Sequence, residues 1–123
     1  MYRYTAMFWL HDSSDASVDV VCTLLRSLHG KIPGILSFDV GADAMPTDTS
    51  CDACITVLFA SKAACEAFLR HEAFLETKSI LEGLYSRVST ASYPIREPQR
   101  KIPKLYAFIG SENREPEILG GML

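Results

Sequence analysis

The stretch ACITVLFASKAACEAFLRHEAFLETKSILEGLYSR, residues 53–87, changes its hydrophobic pattern partway along. Residues 53–60 are short, apolar and β-branched, which predicts a strand. From Ser61, a residue suited to capping a helix N-terminus, apolar side chains recur at helical spacing. We expect one helical stretch over residues 61–87 with a bend near His71. Its apolar face should contain Ala64, Phe68, Phe74, Leu75 and Leu81.

The segments before and after this stretch supply the remaining elements. Two more strand-like runs precede it, and the run that follows it is stopped by a proline. The N-cap cluster HDSSD introduces a first helix, with Gly30 in the position of its C-terminal stop. The predicted bounds are 4–10 for the first strand, 16–30 for the first helix, 35–41 for the second strand and 87–94 for the fourth. The order β-α-β-β-α-β predicts an α+β, ferredoxin-like fold, with an antiparallel sheet and helices on one face.

The first and third strands are apolar on both faces, and this favours self-association. In the third strand, Ile55 and Val57 alternate with Cys54 and Leu58. Helices can cover only one of these faces, so the other would remain exposed in a monomer. We therefore predict a homodimer that pairs through the second face of the sheet. Trp9 and Met7 are the predicted interface residues, since both point away from the helices.

Composition excludes several other classes of partner. The chain has 123 residues, the size of one domain, and a net charge of -3, which argues against nucleic-acid binding. No apolar run approaches the roughly 20 residues that span a bilayer. The first residues lack the apolar centre of a secretory signal, so we expect a cytoplasmic protein with reduced thiols.

The four cysteines and the glycines give little support for a cofactor or a metal. Cys22 and Cys65 lie in helical patterns, where a free thiol behaves as a small hydrophobe. The CDAC motif at residues 51–54 leads directly into a strand, whereas a redox pair usually precedes a helix. No glycine-rich phosphate loop is present, so we expect neither a metal nor a cofactor.

Residues 95–123 form a C-terminal extension whose composition differs from that of the preceding residues. Several prolines interrupt it, yet KLYAFIG at residues 104–110 is too apolar to be expected free in water. We expect the extension to dock on the domain or on the partner subunit. A disordered tail is the alternative.

Four segments together resemble the stress-responsive dimeric α/β-barrel (Dabb) family over residues 1–94. They are KIPGI at 31–35, DVG at 39–41, FASKAACEAFLRHEAF at 59–74 and ASYP at 91–94. The family pattern implies that residues 1–94 are one barrel domain, in which two sheets close into a shared barrel. It also interprets HEAF, residues 71–74, as the family's HPxH segment rather than as a broken zinc-protease motif.

The resemblance also implies a pocket and limits its chemistry. In a plant polyketide cyclase of this family, which makes olivetolic acid, a histidine acts as base and a tyrosine positions the substrate. The matching residues here are Phe74 and Phe68, which can neither transfer a proton nor polarise a carbonyl. Tyr4 and His71 remain as polar candidates for a catalytic role. The implied pocket residues are Tyr4, Ala6, Phe8, Val21, Cys22, Leu25, Ile55, Phe68, His71, Phe74 and Tyr85.

Two functional hypotheses follow. The first is a dimer that binds an apolar or aromatic small molecule and carries a cofactor-free cyclase or isomerase activity without the usual histidine base. The alternative is a non-catalytic, stress-associated structural dimer in which the same aromatic side chains fill the core. An internal cavity would favour the first hypothesis over the second.

Overall fold

The computed structural model describes residues 1–96 and contains one antiparallel sheet with helices on one side. The predicted docking of the extension concerns residues almost all of which lie outside the described range. The sheet order is β2-β3-β1-β4, which confirms the predicted ferredoxin-like fold. The elements are β1 Tyr2–Leu10, α1 Asp15–Arg26, β2 Ile35–Ala42, β3 Ala53–Phe59, α2 Lys62–Arg70, α3 Glu72–Leu81 and β4 Tyr85–Pro94.

The stretch predicted as one bent helix is two helices followed by the start of a strand. The backbone of His71 is extended, with φ -69° and ψ 141°, so it separates α2 from α3. His71 then caps the second helix, since its Nδ1 accepts a hydrogen bond from the Ala73 amide at 3.0 Å. Ser61 caps α2 as predicted, accepting from the Ala64 amide at 3.1 Å.

Two helices end earlier in the sequence than predicted. Tyr85 begins β4, where it pairs with Leu10 of β1, so sheet hydrogen bonding overrides the helical pattern of the sequence there. The first helix ends at Arg26 rather than at Gly30, which lies in the turn that follows, with φ +90°. None of the helices within residues 1–96 is long and apolar enough to cross a membrane.

The core lies between the helices and the inner face of the sheet. In β3, the inward side chains Ala53, Ile55, Val57 and Phe59 are at most 2% exposed. Cys22 and Cys65 are buried in α1 and α2, as their helical spacing predicts. Gly34, with φ +90°, lies at a close approach to α2, where an added Cβ would be 3.4 Å from that of Ala64.

The outer face of the sheet is mixed rather than uniformly apolar. Met7 and Tyr93 are 39% and 43% exposed there, while the Arg87 guanidinium lies 4.4 Å from the centroid of the Trp9 ring. The Nε of Arg3 is buried but has no hydrogen-bond partner among residues 1–96. The apolar second faces predicted for β1 and β3 are therefore flanked by polar residues of the edge strands. By strand register, these are Ser37 and Asp39 of β2 and Arg87 and Ser89 of β4.

Replacing His71 tests its role as a helix cap. His71→Ala should lower the free energy of unfolding by about 1 kcal/mol, because the Ala73 amide loses its acceptor. His71→Asn keeps an acceptor at this position and should recover most of the loss. Urea unfolding at one fixed protein concentration measures both variants. Equal destabilisation by alanine and asparagine would contradict the capping role.

Candidate functional site

A cavity of about 450 Å³ lies between α3 and the inner face of β1 and β4. This volume falls within the usual range for small-molecule sites, roughly 300–1,000 Å³. Most of its wall is apolar or aromatic. The lining residues are Tyr4, Ala6, Phe8, Leu25, Ile55, Leu69, Phe74, Thr77, Lys78, Leu81, Glu82, Tyr85, Val88 and Thr90.

The sheet and α3 build the cavity through their own periodicities. Alternation along β1 turns Tyr4, Ala6 and Phe8 towards the helices. Ala6 is only 1% exposed, and its small side chain leaves space in the middle of this floor. On α3, residues three to four positions apart share a face, so Phe74, Thr77 and Leu81 form the facing wall.

Four residues with hydroxyl groups provide polarity within this apolar wall. Thr77 is 8% exposed, and Tyr4, Tyr85 and Thr90 join it in the lining. Burial raises the pKa of Tyr4 to about 12, with smaller contributions from the nearby ionisable groups of Cys65 and Tyr85. The Tyr4 phenol is therefore neutral at physiological pH and can donate a hydrogen bond to a ligand.

The charged members of the lining are at the rim. Lys78 and Glu82 are both exposed, and they lie four residues apart on α3, on the same face of the helix. Their opposite charges leave the mouth of the cavity without a net charge. This arrangement favours a neutral ligand over a strongly charged one.

The structure brings seven of the eleven sequence-predicted pocket residues to the cavity. They are Tyr4, Ala6, Phe8, Leu25, Ile55, Phe74 and Tyr85. Val21, Cys22 and Phe68 are instead buried in the core. The Phe68 ring supports the cavity from behind, with its centroid 4.9 Å from that of Phe74 and 6.1 Å from that of Tyr4.

His71 is placed at a different depression on the surface. That depression, of about 310 Å³, is lined by Lys31, His71, Glu72, Ala73, Glu76 and Thr77. Because Nδ1 of His71 accepts the Ala73 amide, this nitrogen is engaged in capping α3. Thr77 contributes to both this depression and the larger cavity. His71 and Tyr4 thus lie at separate sites.

Sequence reasoning missed half of the lining. The missed residues are Leu69, Thr77, Lys78, Leu81, Glu82, Val88 and Thr90. Helical spacing from Phe74 could have identified three of them, since Thr77, Lys78 and Leu81 follow it at i+3, i+4 and i+7. Val88 and Thr90 carry no such signal, because their place depends on how β4 pairs with β1.

The cysteines offer weak nucleophiles. Burial is the largest cause that raises the pKa of each of the four thiols, Cys22, Cys51, Cys54 and Cys65. A raised pKa reduces the fraction of reactive thiolate at neutral pH. Within residues 1–96, no three His, Cys, Asp or Glu side chains are grouped so that they could hold a metal ion.

The raised pKa of Tyr4 makes stability depend on alkaline pH. Between pH 10 and 12 the unfolded chain ionises at Tyr4 while the folded chain does not, so the unfolded state binds fewer protons and stability falls. The loss should reach up to about 3 kcal/mol, and Tyr4→Phe should abolish it. Urea unfolding at pH 9, 10 and 11 measures the slope, with Tyr2→Phe as control, at a half-buried tyrosine outside both the cavity lining and the outer face of the sheet. Equal slopes for the two variants would contradict the assignment.

Solved structures similar to this fold include proteins with different activities. A dimeric ferredoxin-like protein from Thermobifida fusca has a TM-score of 0.68 and 19% identity, over 76% of this chain and 90% of its own. A hydroxynitrile lyase from Passiflora edulis has a TM-score of 0.68 and 16% identity, over 80% and 95%. The cofactor-independent oxygenase SnoaB from Streptomyces nogalater has a TM-score of 0.62 and 14% identity, over 81% and 97%. These identities show a shared fold and no more.

The sequence itself identifies the family. No curated protein sequence matches the chain significantly. A family model described as the stress responsive A/B barrel domain, however, matches residues 4–95, nearly the region that carries the predicted resemblance. The chain therefore belongs to the stress responsive A/B barrel domain (Dabb) family.

Proposed function

We propose that this protein is a cytoplasmic homodimer in which each subunit binds a neutral apolar or aromatic small molecule between α3 and the sheet. The observation that carries the proposal is the cavity of about 450 Å³ with its mainly apolar lining. The space is half open to solvent, and a concave site with a mainly apolar lining is what small-molecule binding requires, whereas a purely structural subunit has no use for it. The cavity therefore supports binding over the filled-core alternative.

Aromatic side chains favour a flat ligand. The rings of Phe8 and Tyr85 lie 5.7 Å apart in a tilted pair at one side of the cavity, and Phe74 lies at the α3 wall. Such rings pack well against another aromatic ring. The Tyr4 hydroxyl supplies a hydrogen-bond donor to a carbonyl or phenolic oxygen. A planar phenol or an aromatic ketone combines both features.

Any reaction in this cavity takes place without a histidine base. The resemblance assigns Phe74 to the position of the cyclase base, and His71 lines the other depression. A phenol with a pKa of about 12 is a poor proton acceptor at neutral pH but a competent hydrogen-bond donor. The proposed chemistry is therefore limited to a cofactor-free cyclisation or isomerisation in which Tyr4 polarises a substrate carbonyl.

The outer face of the sheet is the proposed dimer interface. Half-buried Trp9 and exposed Met7 and Tyr93 give it an apolar centre. The unpartnered Nε of Arg3 lies on the same face, where a second copy can provide an acceptor. Solved structures of the same fold include dimeric proteins, which supports a dimer.

A binding assay on a cavity-filling variant tests the ligand site. A panel of naphthols, alkylresorcinols and aromatic ketones is screened by thermal shift. A compound that binds at this site, present at a free concentration of ten times its Kd, should raise the free energy of unfolding by about 1.4 kcal/mol. Ala6→Leu should abolish this shift while costing little stability, because its added atoms enter the empty cavity.

Ala53→Leu is the matched control for that variant. Ala53 is also buried on the inner face of the sheet but does not line the cavity, so the larger side chain should cost about 1–3 kcal/mol. The absence of any ligand across the panel, together with equal destabilisation by the two leucine variants, would favour the structural dimer instead.

Sedimentation equilibrium tests the interface. At micromolar concentration, the wild-type protein should have twice the 13.6 kDa mass of the chain. Met7→Glu should shift it to the monomer, because the variant places two carboxylates in an apolar contact across the two-fold axis. The control Met45→Glu changes a side chain that is 80% exposed in a loop and should leave the dimer intact. A monomeric wild-type protein would contradict the proposal.

A further inference from the structure

Within residues 1–96, one stretch of the inner sheet face is left without cover. Strand register places Thr90, Ser92 and Pro94 of β4 opposite Ala6, Tyr4 and Tyr2, and therefore on the side that faces the helices. Val88 is half-buried, but Thr90, Ser92 and Pro94 are all exposed. We call these three residues the open strip of β4. It begins at the cavity, since Thr90 belongs to the lining, and runs to the end of the strand.

The chain leaves the domain at the far end of this open strip. The Ile95 amide donates to the Met1 carbonyl at 2.8 Å, so the backbone is still held beside β1 at that point. Residues 97–123 then lie beyond the described part of the chain. Whatever position these residues take, they start next to the open strip of β4, which leads back to the cavity.

The apolar part of the extension can reach the cavity. From Arg96 back to Thr90 is six residues of strand, or roughly 20 Å. From Arg96 forward to Leu105 is nine residues, which can extend to about 30 Å. A chain that reverses direction after Arg96 can therefore lay residues 104–110 over α3 and β4 without being fully stretched.

The residue types of this segment match the cavity. KLYAFIG contains Tyr106 and Phe108, which point to the same side when the backbone is extended. An apolar cavity of about 150 Å³ holds one benzene ring, so 450 Å³ has room for two aromatic side chains. The outer face of the sheet is a less suitable binding surface for this segment, because a second copy covers it in the proposed dimer.

We propose that residues 104–110 fold back across the open strip of β4 and place Tyr106 and Phe108 in the cavity of the same chain. The extension then acts as a built-in competitor, and a ligand must displace it to bind. The competition between the extension and a ligand rests on the proposed function, whereas the docking of the extension does not. If the segment occupies the cavity for nine-tenths of the time, apparent ligand affinity falls about tenfold.

Photocrosslinking in the full-length protein tests the docking. Phe108 is replaced by p-benzoylphenylalanine, and the products of irradiation are mapped by mass spectrometry. The expected attachment sites are Phe74, Thr77, Leu81 and Val88. The control carries the same group at Ile118, another apolar position of the extension, and should not label these sites. The proposal would be overturned by labelling of Met7 or Trp9, or by the absence of any labelling. It would also be overturned by labelling of the partner chain, which is detected in dimers that combine one unlabelled and one isotope-labelled chain.

A second variant keeps the proposal testable if the bulky crosslinker does not fit. The full-length double variant Tyr106→Ser, Phe108→Ser should bind 1-naphthol about tenfold more tightly than the wild type, because the cavity is open. Ile118→Ser should leave the affinity unchanged. Unchanged affinity in the double variant would overturn the competition. Crosslinks to the cavity without binding of any phenol by the double variant would support docking and reject the proposed function instead.

Discussion

The fold depends on a sheet whose helices all lie on one side. Four antiparallel strands present two faces, and α1, α2 and α3 bury only the inner one. The fully buried side chains of β3 hold this inner layer together, since large apolar residues such as Phe59 and Val57 are inaccessible to water. The outer face keeps Trp9, Met7 and Tyr93 at or near the surface. One constraint thus explains both the stability of the subunit and its proposed need for a second copy.

The same one-sided packing leaves room for the cavity. While α2 packs against β1, the helix-facing side of β4 becomes progressively exposed along the strand. The interruption at His71 also matters, because it allows α3 to begin as a separate helix with its own cap. Small Ala6 beneath the helix completes the space. The cavity is consequently a product of the architecture, and the residues around it decide what it accepts.

Those residues separate this protein chemically from any relative that works through a histidine base. By the resemblance to the plant cyclase, Phe68 and Phe74 stand at the positions where that enzyme positions and deprotonates its substrate. The polar groups that remain in the cavity are neutral hydroxyls, chiefly that of Tyr4, which stays protonated because burial raises its pKa. Similar folds contain a lyase and an oxygenase, so the fold alone does not select a reaction. The function proposed for this chain therefore depends on the cavity and its hydroxyl groups.

The sequence by itself determined the order of elements, the two-faced character of β1 and β3, the Ser61 cap and seven of the cavity residues. The first three are local or periodic features that can be counted along one chain, whereas the cavity residues came from the resemblance to a known family. Only the tertiary structure decided that Tyr85 starts a strand, that His71 separates two helices and that Val88 and Thr90 face the cavity. Each of these depends on contacts with residues distant in sequence, such as Leu10 opposite Tyr85. The existence of the cavity was likewise a tertiary result, because the same aromatic side chains can either fill a core or line a space, and only their relative positions distinguish the two.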